Sequence, residues 1–191
     1  MNTGLHDAWN LVWKLNLFLQ GHGNELLLDS YSTERLPVIE NVIQTTDLLT
    51  KVMGTPNKFA QALRDTVIPM VSRLTPFQHA FVQRLSELGI AYPGSPIVEG
   101  PGKRYFDDSV RGGKGINHRF LLLVGDDAHS STKKAAEKLA GAFTEVAELR
   151  PSRERGIKLV RPDGYIAYSG QNGDDIASLT SLRSLLERQT S

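Results

Sequence analysis

A chain of 191 residues, 40% of them hydrophobic, is long enough for one sizeable domain or two small ones and has a globular composition. Its 22 Lys and Arg against 21 Asp and Glu leave a formal charge of +1, so no long-range field draws it to nucleic acid or to an anionic membrane. There is no cysteine, which excludes disulfides, thiolate metal sites and thiol chemistry.

The longest apolar run, residues 120–124, is far too short to span a bilayer, and the N-terminus lacks the charged flank and continuous apolar core of a signal peptide; the cytoplasm is the expected location. In the first stretch, MNTGLHDAWNLVWKL, Leu5, Ala8, Trp9, Val12 and Trp13 follow helical spacing, with Leu11 and Leu15 one step round. Asn2 and Thr3 are both N-cap types, so this helix starts almost at the first residue, and Gly21, His22 and Gly23 stop it. A helix start presents backbone N–H groups and the positive end of the macrodipole, which suits an electron-rich or anionic group.

Residues 25–53 read as a second, longer helix that Pro37 should bend or restart. Within it Glu34 and Arg35 are adjacent and cannot face each other, so they are expected to tie the helix to its neighbours as structural ion pairs. Helices follow over residues 58–74 and 77–88, where Met70, Phe77 and Phe81 take helical core spacing and His79 has no evident partner. Between Ile90 and Gly102 prolines and glycines reach a density that suits only a linker. Arg111, Gly112, Gly113, Lys114 and Gly115 form a basic loop; it precedes a strand and has no Ser or Thr after the Lys, so it is no phosphate-binding loop.

Residues 119–125 read as a buried strand. A helix from Thr132 to about Phe143, capped by Ser130 or Ser131, comes next, then a strand over residues 145–149. Strands over 157–161 and 165–168 flank Pro162, Asp163 and Gly164, a hairpin turn with glycine at the positive-φ position. A last helix, residues 176–188, places Ile176, Leu179, Leu182, Leu185 and Leu186 on one face. Asp126, Asp127 and His129 are too few for a structural metal site and read as helix-capping groups. Arg150, Arg153, Arg155, Lys158 and Arg161 read as a solvated basic face without the interleaved aromatics of a nucleic-acid site. The fold class is α+β: a helical segment over residues 1–92, a linker over 93–118, and a cysteine-free α/β domain over 119–191.

Asn2, Gly4, Asp7, Ala8, Asn10, Leu11, Trp13, Lys14 and Leu15 match the flavin-facing helix of FAD-dependent aromatic hydroxylases, the phenol hydroxylase-like flavoprotein monooxygenases, which this stretch closely resembles. Tyr31, Glu34, Arg35 and Pro37 resemble the family's next element, and Leu88, Gly89 and Tyr92 a later one; Phe106 stands where the family's Gly-x-Arg-x-Pro-Asp motif has proline. The run Leu159 to Tyr165, LVRPDGY, is similar to the signature of the thioredoxin-like domain that ends this branch. Family members carry a GxGxxG dinucleotide-binding element before the flavin helix, and none occurs in these residues, so the chain looks like the C-terminal part of such an enzyme. The resemblance implies FAD as cofactor, NAD(P)H as reductant and a phenolic or other aromatic substrate. It places the backbone of Met1, Asn2, Thr3 and Gly4 against the flavin, and leaves Asp7, Asn10 and Lys14 to fix the helix. No catalytic residue and no metal ligand is assigned. Without cysteines the thioredoxin-like domain is left with packing or assembly, and a non-catalytic module that self-associates or docks on an upstream FAD-binding polypeptide is the competing expectation. On that expectation Trp9 and Trp13 would form an apolar patch.

Overall fold

The computed structural model describes residues 2–54, 89–107, 118–170 and 175–190. The helices expected over 58–74 and 77–88, with Met70, Phe77, His79 and Phe81, lie outside the described residues, as do Met1 and the basic loop 111–115.

Helix α1 spans Asn2–Leu19 and closes where the glycines required it. Gly21 takes φ +73°, and the amides of Gly21 and His22 donate back to the carbonyls of Phe18 and Leu17, a Schellman closure. Helix α2, Glu25–Gly54, matches the expected span and runs through Pro37 as one helix, without the restart that was one of the two outcomes expected there. Its first half packs on α1, whereas Val42, Ile43 and Leu48 in its second half are exposed.

The C-terminal layer has four strands, β1 (Phe120–Gly125), β2 (Ala147–Ser152), β3 (Ile157–Val160) and β4 (Ile166–Gly170), in the order β2-β1-β3-β4. β1 pairs parallel with β2 and antiparallel with β3, and β3 antiparallel with β4. Helix α3 (Ser130–Ala142) makes the crossover from β1 to β2, and helix α4 (Asp175–Gln189) follows β4. This is the thioredoxin-like order expected from sequence. β1 is buried along its whole length, as a central strand covered on both faces must be. Pro151 is tolerated in β2 because that strand is at an edge. The N-cap of α3 is His129, one of the three residues read as capping groups, and not Ser130 or Ser131: its Nδ1 accepts from the Ser131 amide, and the helix already begins at Ser130. Ile176 was placed on the buried face of the last helix but is exposed, while Leu179, Leu182, Leu185 and Leu186 are buried as expected.

The first two helices share the core of this layer. Trp13, Leu17 and Leu27 belong to one apolar cluster with Phe120, Leu122, Leu159, Leu182 and Leu185, and Trp13 meets Phe120 edge to face at 5.4 Å. Asn24, in the turn between α1 and α2, donates from its backbone to Gln189 and from its side chain to the Arg188 carbonyl at the end of α4. Residues 93–107 also enter the core: Ile97, Val98 and Tyr105 are buried, and the backbone bonds β4 and its turn through Glu99 to Ala167, Tyr105 to Gly164 and Ile166 to Lys103.

Candidate functional site

Family-motif residues that lie far apart in the sequence meet at one place. α1 carries Asn10, Trp13, Lys14 and Leu17 on its buried face, the i, i+3, i+4, i+7 positions of a helix. Glu34 of α2 faces them, and its carboxylate is the hub. Oε2 accepts from Asn10 Nδ2 at 2.7 Å, Lys14 Nζ at 2.9 Å and Arg161 Nη2 at 2.9 Å. Oε1 accepts from Arg161 Nη1 at 2.5 Å and the Ser95 hydroxyl at 2.6 Å. Arg161 grips Asp163 as well, through Nε at 3.0 Å and Nη2 at 2.5 Å, and Asp163 Oδ2 also accepts from Asn10 at 3.3 Å. The guanidinium lies 5.2 Å from the ring centres of Trp13 and Tyr92 and 5.8 Å from that of Tyr165. Beside this cluster Arg35 donates to Asp7 at 2.6 Å and to the Tyr92 hydroxyl at 2.9 Å.

Lys14, Glu34, Arg161 and Asp163 are essentially without solvent contact, two cations against two anions, so burial is compensated by pairing within the set. Burial alone would raise the Glu34 pKa; the Arg161 charge and hydrogen bonds, then Lys14 and Asn10, outweigh it and hold the carboxyl at about 2. Burial and repulsion by Arg161 lower Lys14 to about 8, against the pull of Glu34. Burial would lower Arg161 too, but Asp163 and Glu34 reverse it and keep it firmly protonated. Burial raises both Tyr92 and Tyr165, so both phenols are neutral at any physiological pH. With two cations paired against two anions, this cluster is suited to holding elements in register.

Asp7, Asn10 and Lys14 therefore fix the helix, and Glu34 and Arg35 make the ion pairs expected of them, each with a different partner. Two readings are corrected. Arg161 is no part of a solvated basic face; it is 1% exposed and central to the cluster. Of the other basic residues, Arg150 pairs with Glu148, Lys158 with Glu154, and Arg155 with Asp127. Trp13 is also buried, at 4% exposure. The exposed apolar stripe of α1 is instead Leu5, Val12, Leu15 and Leu19, at 66%, 57%, 39% and 75%.

Asn2, Thr3 and Gly4 form the first turn of α1, which holds no acidic residue, and a Cβ built on Gly4 would meet no atom within 4 Å. Among the described residues no group of three or more His, Cys, Asp or Glu is gathered where it could hold a metal. No helix of the described residues is long and apolar enough to cross a membrane.

The family described as FAD binding domain matches residues 1–46, which cover α1 and the Glu34–Arg35 half of the cluster. The 6-methylpretetramide 4-monooxygenase of Streptomyces rimosus is 25% identical over 97% of this chain and 41% of its own length. The chain is related to FAD-dependent aromatic hydroxylases, over their C-terminal part. A second hydroxylase relative, the 3-(3-hydroxy-phenyl)propionate/3-hydroxycinnamic acid hydroxylase of Escherichia coli, is 33% identical over 53% of this chain and 19% of its own length. Among solved structures BexE, studied for oxidation during BE-7585A biosynthesis, superposes with a TM-score of 0.69 at 26% identity, over 98% of this chain and 40% of its own. The hydroxylase-like chain thus spans about two fifths of the length of the first of these relatives and of BexE.

Proposed function

We propose that these residues are the C-terminal portion of an FAD-dependent, NAD(P)H-using monooxygenase that hydroxylates phenolic or other aromatic substrates. The observation that carries the reading is the two-sidedness of α1. Its motif residues turn inward to the ion cluster, while the Leu5, Val12, Leu15 and Leu19 stripe faces outward. A leucine stripe of this kind on a helix matched to an FAD-binding family calls for the rest of that fold as its cover.

On this reading the backbone of Met1, Asn2, Thr3 and Gly4 holds the flavin edge, where the helix dipole favours negative charge on the ring. When bound, the flavin supplies the redox chemistry, taking a hydride from NAD(P)H and activating O₂ for ring hydroxylation. The chain's own part is to present that helix end. One helix terminus contributes only ~1 kcal/mol toward an anionic group, whereas a micromolar complex needs ~8 kcal/mol. These residues alone therefore neither hold FAD tightly nor hydroxylate a substrate, and the dinucleotide fold is supplied by polypeptide outside them. A cytoplasmic location suits the dependence on NAD(P)H.

The test is complementation. The chain is co-produced with the FAD-binding remainder of a hydroxylase relative, and NAD(P)H-dependent conversion of simple phenols is measured. Turnover only in the mixture supports the reading; a flavin-loaded mixture that oxidises NAD(P)H yet hydroxylates none of a panel of phenols counts against it. The exposed stripe also fits a second reading, a non-catalytic assembly module, for which α1 would bury its leucines against a second copy. Sedimentation of the chain alone separates the two.

A further inference from the structure

We propose that Arg161, on the C-terminal hairpin, is a positioning residue for the flavin-facing helix: acting through Glu34 on Lys14 and Asn10, it sets where the first turn of α1 stands. The flavin side of this statement rests on the function proposed above; the mechanical side does not.

Arg161 is 127 residues from Glu34 in sequence, yet two of its nitrogens bond both Glu34 oxygens. A third nitrogen, Nε, is spent on Asp163, and three aromatic rings wall the guanidinium plane. A planar fork held on two carboxylates and three ring faces has little rotational freedom left. Glu34 is thereby immobilised, and Glu34 is what Lys14 and Asn10 grip. Asn10 makes a second bond to Asp163 in the hairpin turn, so α1 is tied to the C-terminal layer both through α2 and directly. Trp13, between Arg161 and Phe120, fills the remaining gap with a ring that contacts both.

The opposite face of α1 carries the exposed stripe, so within the described residues the helix is located from this side. From Asn10 back to Gly4 is six residues of continuous helix, or ~9 Å at the helical rise. Over that distance a helix moves as a rod, and a shift at Asn10 or Lys14 is delivered to the first turn. The hairpin does this without touching that turn. A thioredoxin-like layer without cysteines would on this account keep a place in the enzyme as the mount of the flavin helix.

Hydrogen exchange followed by mass spectrometry tests this on the purified chain and needs no flavin. The Trp9→Phe background leaves Trp13 as the sole tryptophan. Arg161→Met and Arg161→Lys are compared with Leu139→Ala, which opens the core of α3 away from the cluster. In Arg161→Met, exchange in residues 2–9 is expected to rise ~tenfold or more relative to residues 120–124, with a smaller selective rise in Arg161→Lys. Leu139→Ala raises exchange without favouring α1. A second readout follows Trp13 emission against pH, because the Lys14 ammonium lies 5.7 Å from its ring. Removing the repulsion from Arg161 moves that midpoint upward. If Arg161→Met does not fold, the selective rise in Arg161→Lys decides the matter. A uniform rise matching Leu139→Ala, or an emission midpoint that stays put in Arg161→Met, overturns the proposal. Failure of the flavin reading would appear separately, in the complementation assay.

Discussion

Replacing Glu34 with Gln keeps the shape of the hub and removes its charge. Five hydrogen bonds converge on this carboxylate, from Asn10, Lys14, Ser95 and twice from Arg161, and the four charged side chains of the cluster are buried. Gln offers one acceptor oxygen in place of two and turns an amide N–H₂ toward donors. The magnitude follows in two ways. A carboxyl moved from its ordinary 4.5 to about 2 prefers its charged form in the fold by roughly 3 kcal/mol. Breaking one partner out of a buried ion pair costs about 3–5 kcal/mol in general. Glu34→Gln is therefore expected to lose about 3–5 kcal/mol in urea unfolding at pH 7, equivalent to a Tm lower by about 10 °C for a chain of this size. The pH dependence has a definite sign. The folded pKa of Glu34 is depressed, so its contribution is fully present above about pH 4.5 and is lost as pH falls through about 2. The gap between wild type and variant should accordingly narrow between pH 5 and pH 2.5. A gap below about 1 kcal/mol at pH 7, or one that does not change with acid, would refute the hub.

Lys14→Met behaves differently, because the Lys14 pKa is lowered to about 8 and the fold disfavours its charge. At pH 7 the substitution is expected to cost less than about 1 kcal/mol or to stabilise, and wild type should gain on the variant as pH rises from 8 toward 10.5; a loss as large as that of Glu34→Gln would contradict this. Gly102→Ala puts a Cβ 2.8 Å from the Tyr92 carbonyl at φ +57°, whereas Gly21→Ala at φ +73° meets open space. The first should cost clearly more in thermal unfolding than the ~1 kcal/mol expected of the second. Val12→Ser with Leu15→Ser leaves the monomer's stability within ~0.5 kcal/mol but weakens capture of an FAD-binding partner in co-purification; unchanged capture would remove the stripe from the interface.

The order of elements was legible because each is punctuated locally: Gly21 ends α1, Gly164 turns the hairpin at φ +85°, and Phe120 to Val124 has the continuous apolar pattern of a strand buried on both faces. Pairings across the chain were not legible. Arg161 sits among Arg150, Arg153, Arg155 and Lys158, and composition cannot tell a buried arginine from its solvated neighbours; only the LVRPDGY signature set it apart. Trp13 and Val12 were both placed on one wide apolar face of α1, yet one is buried and the other exposed. Helical periodicity identifies an apolar sector without saying which half of it is covered by the layer present. Lys14 and Asn10 lie outside that sector, on the side of α1 that helical periodicity reads as polar, and their partners lie in α2 and in the hairpin, beyond any local pattern.

The first measurement to make is a titration of the purified 191-residue chain with FAD, followed by its visible spectrum after gel filtration. A colourless protein and no saturation at micromolar flavin are expected, because a helix end contributes ~1 kcal/mol of the ~8 required. A yellow protein that retains an oxidised-flavin band and saturates near 1 μM would mean that these residues build a complete flavin site unaided, and would contradict that expectation.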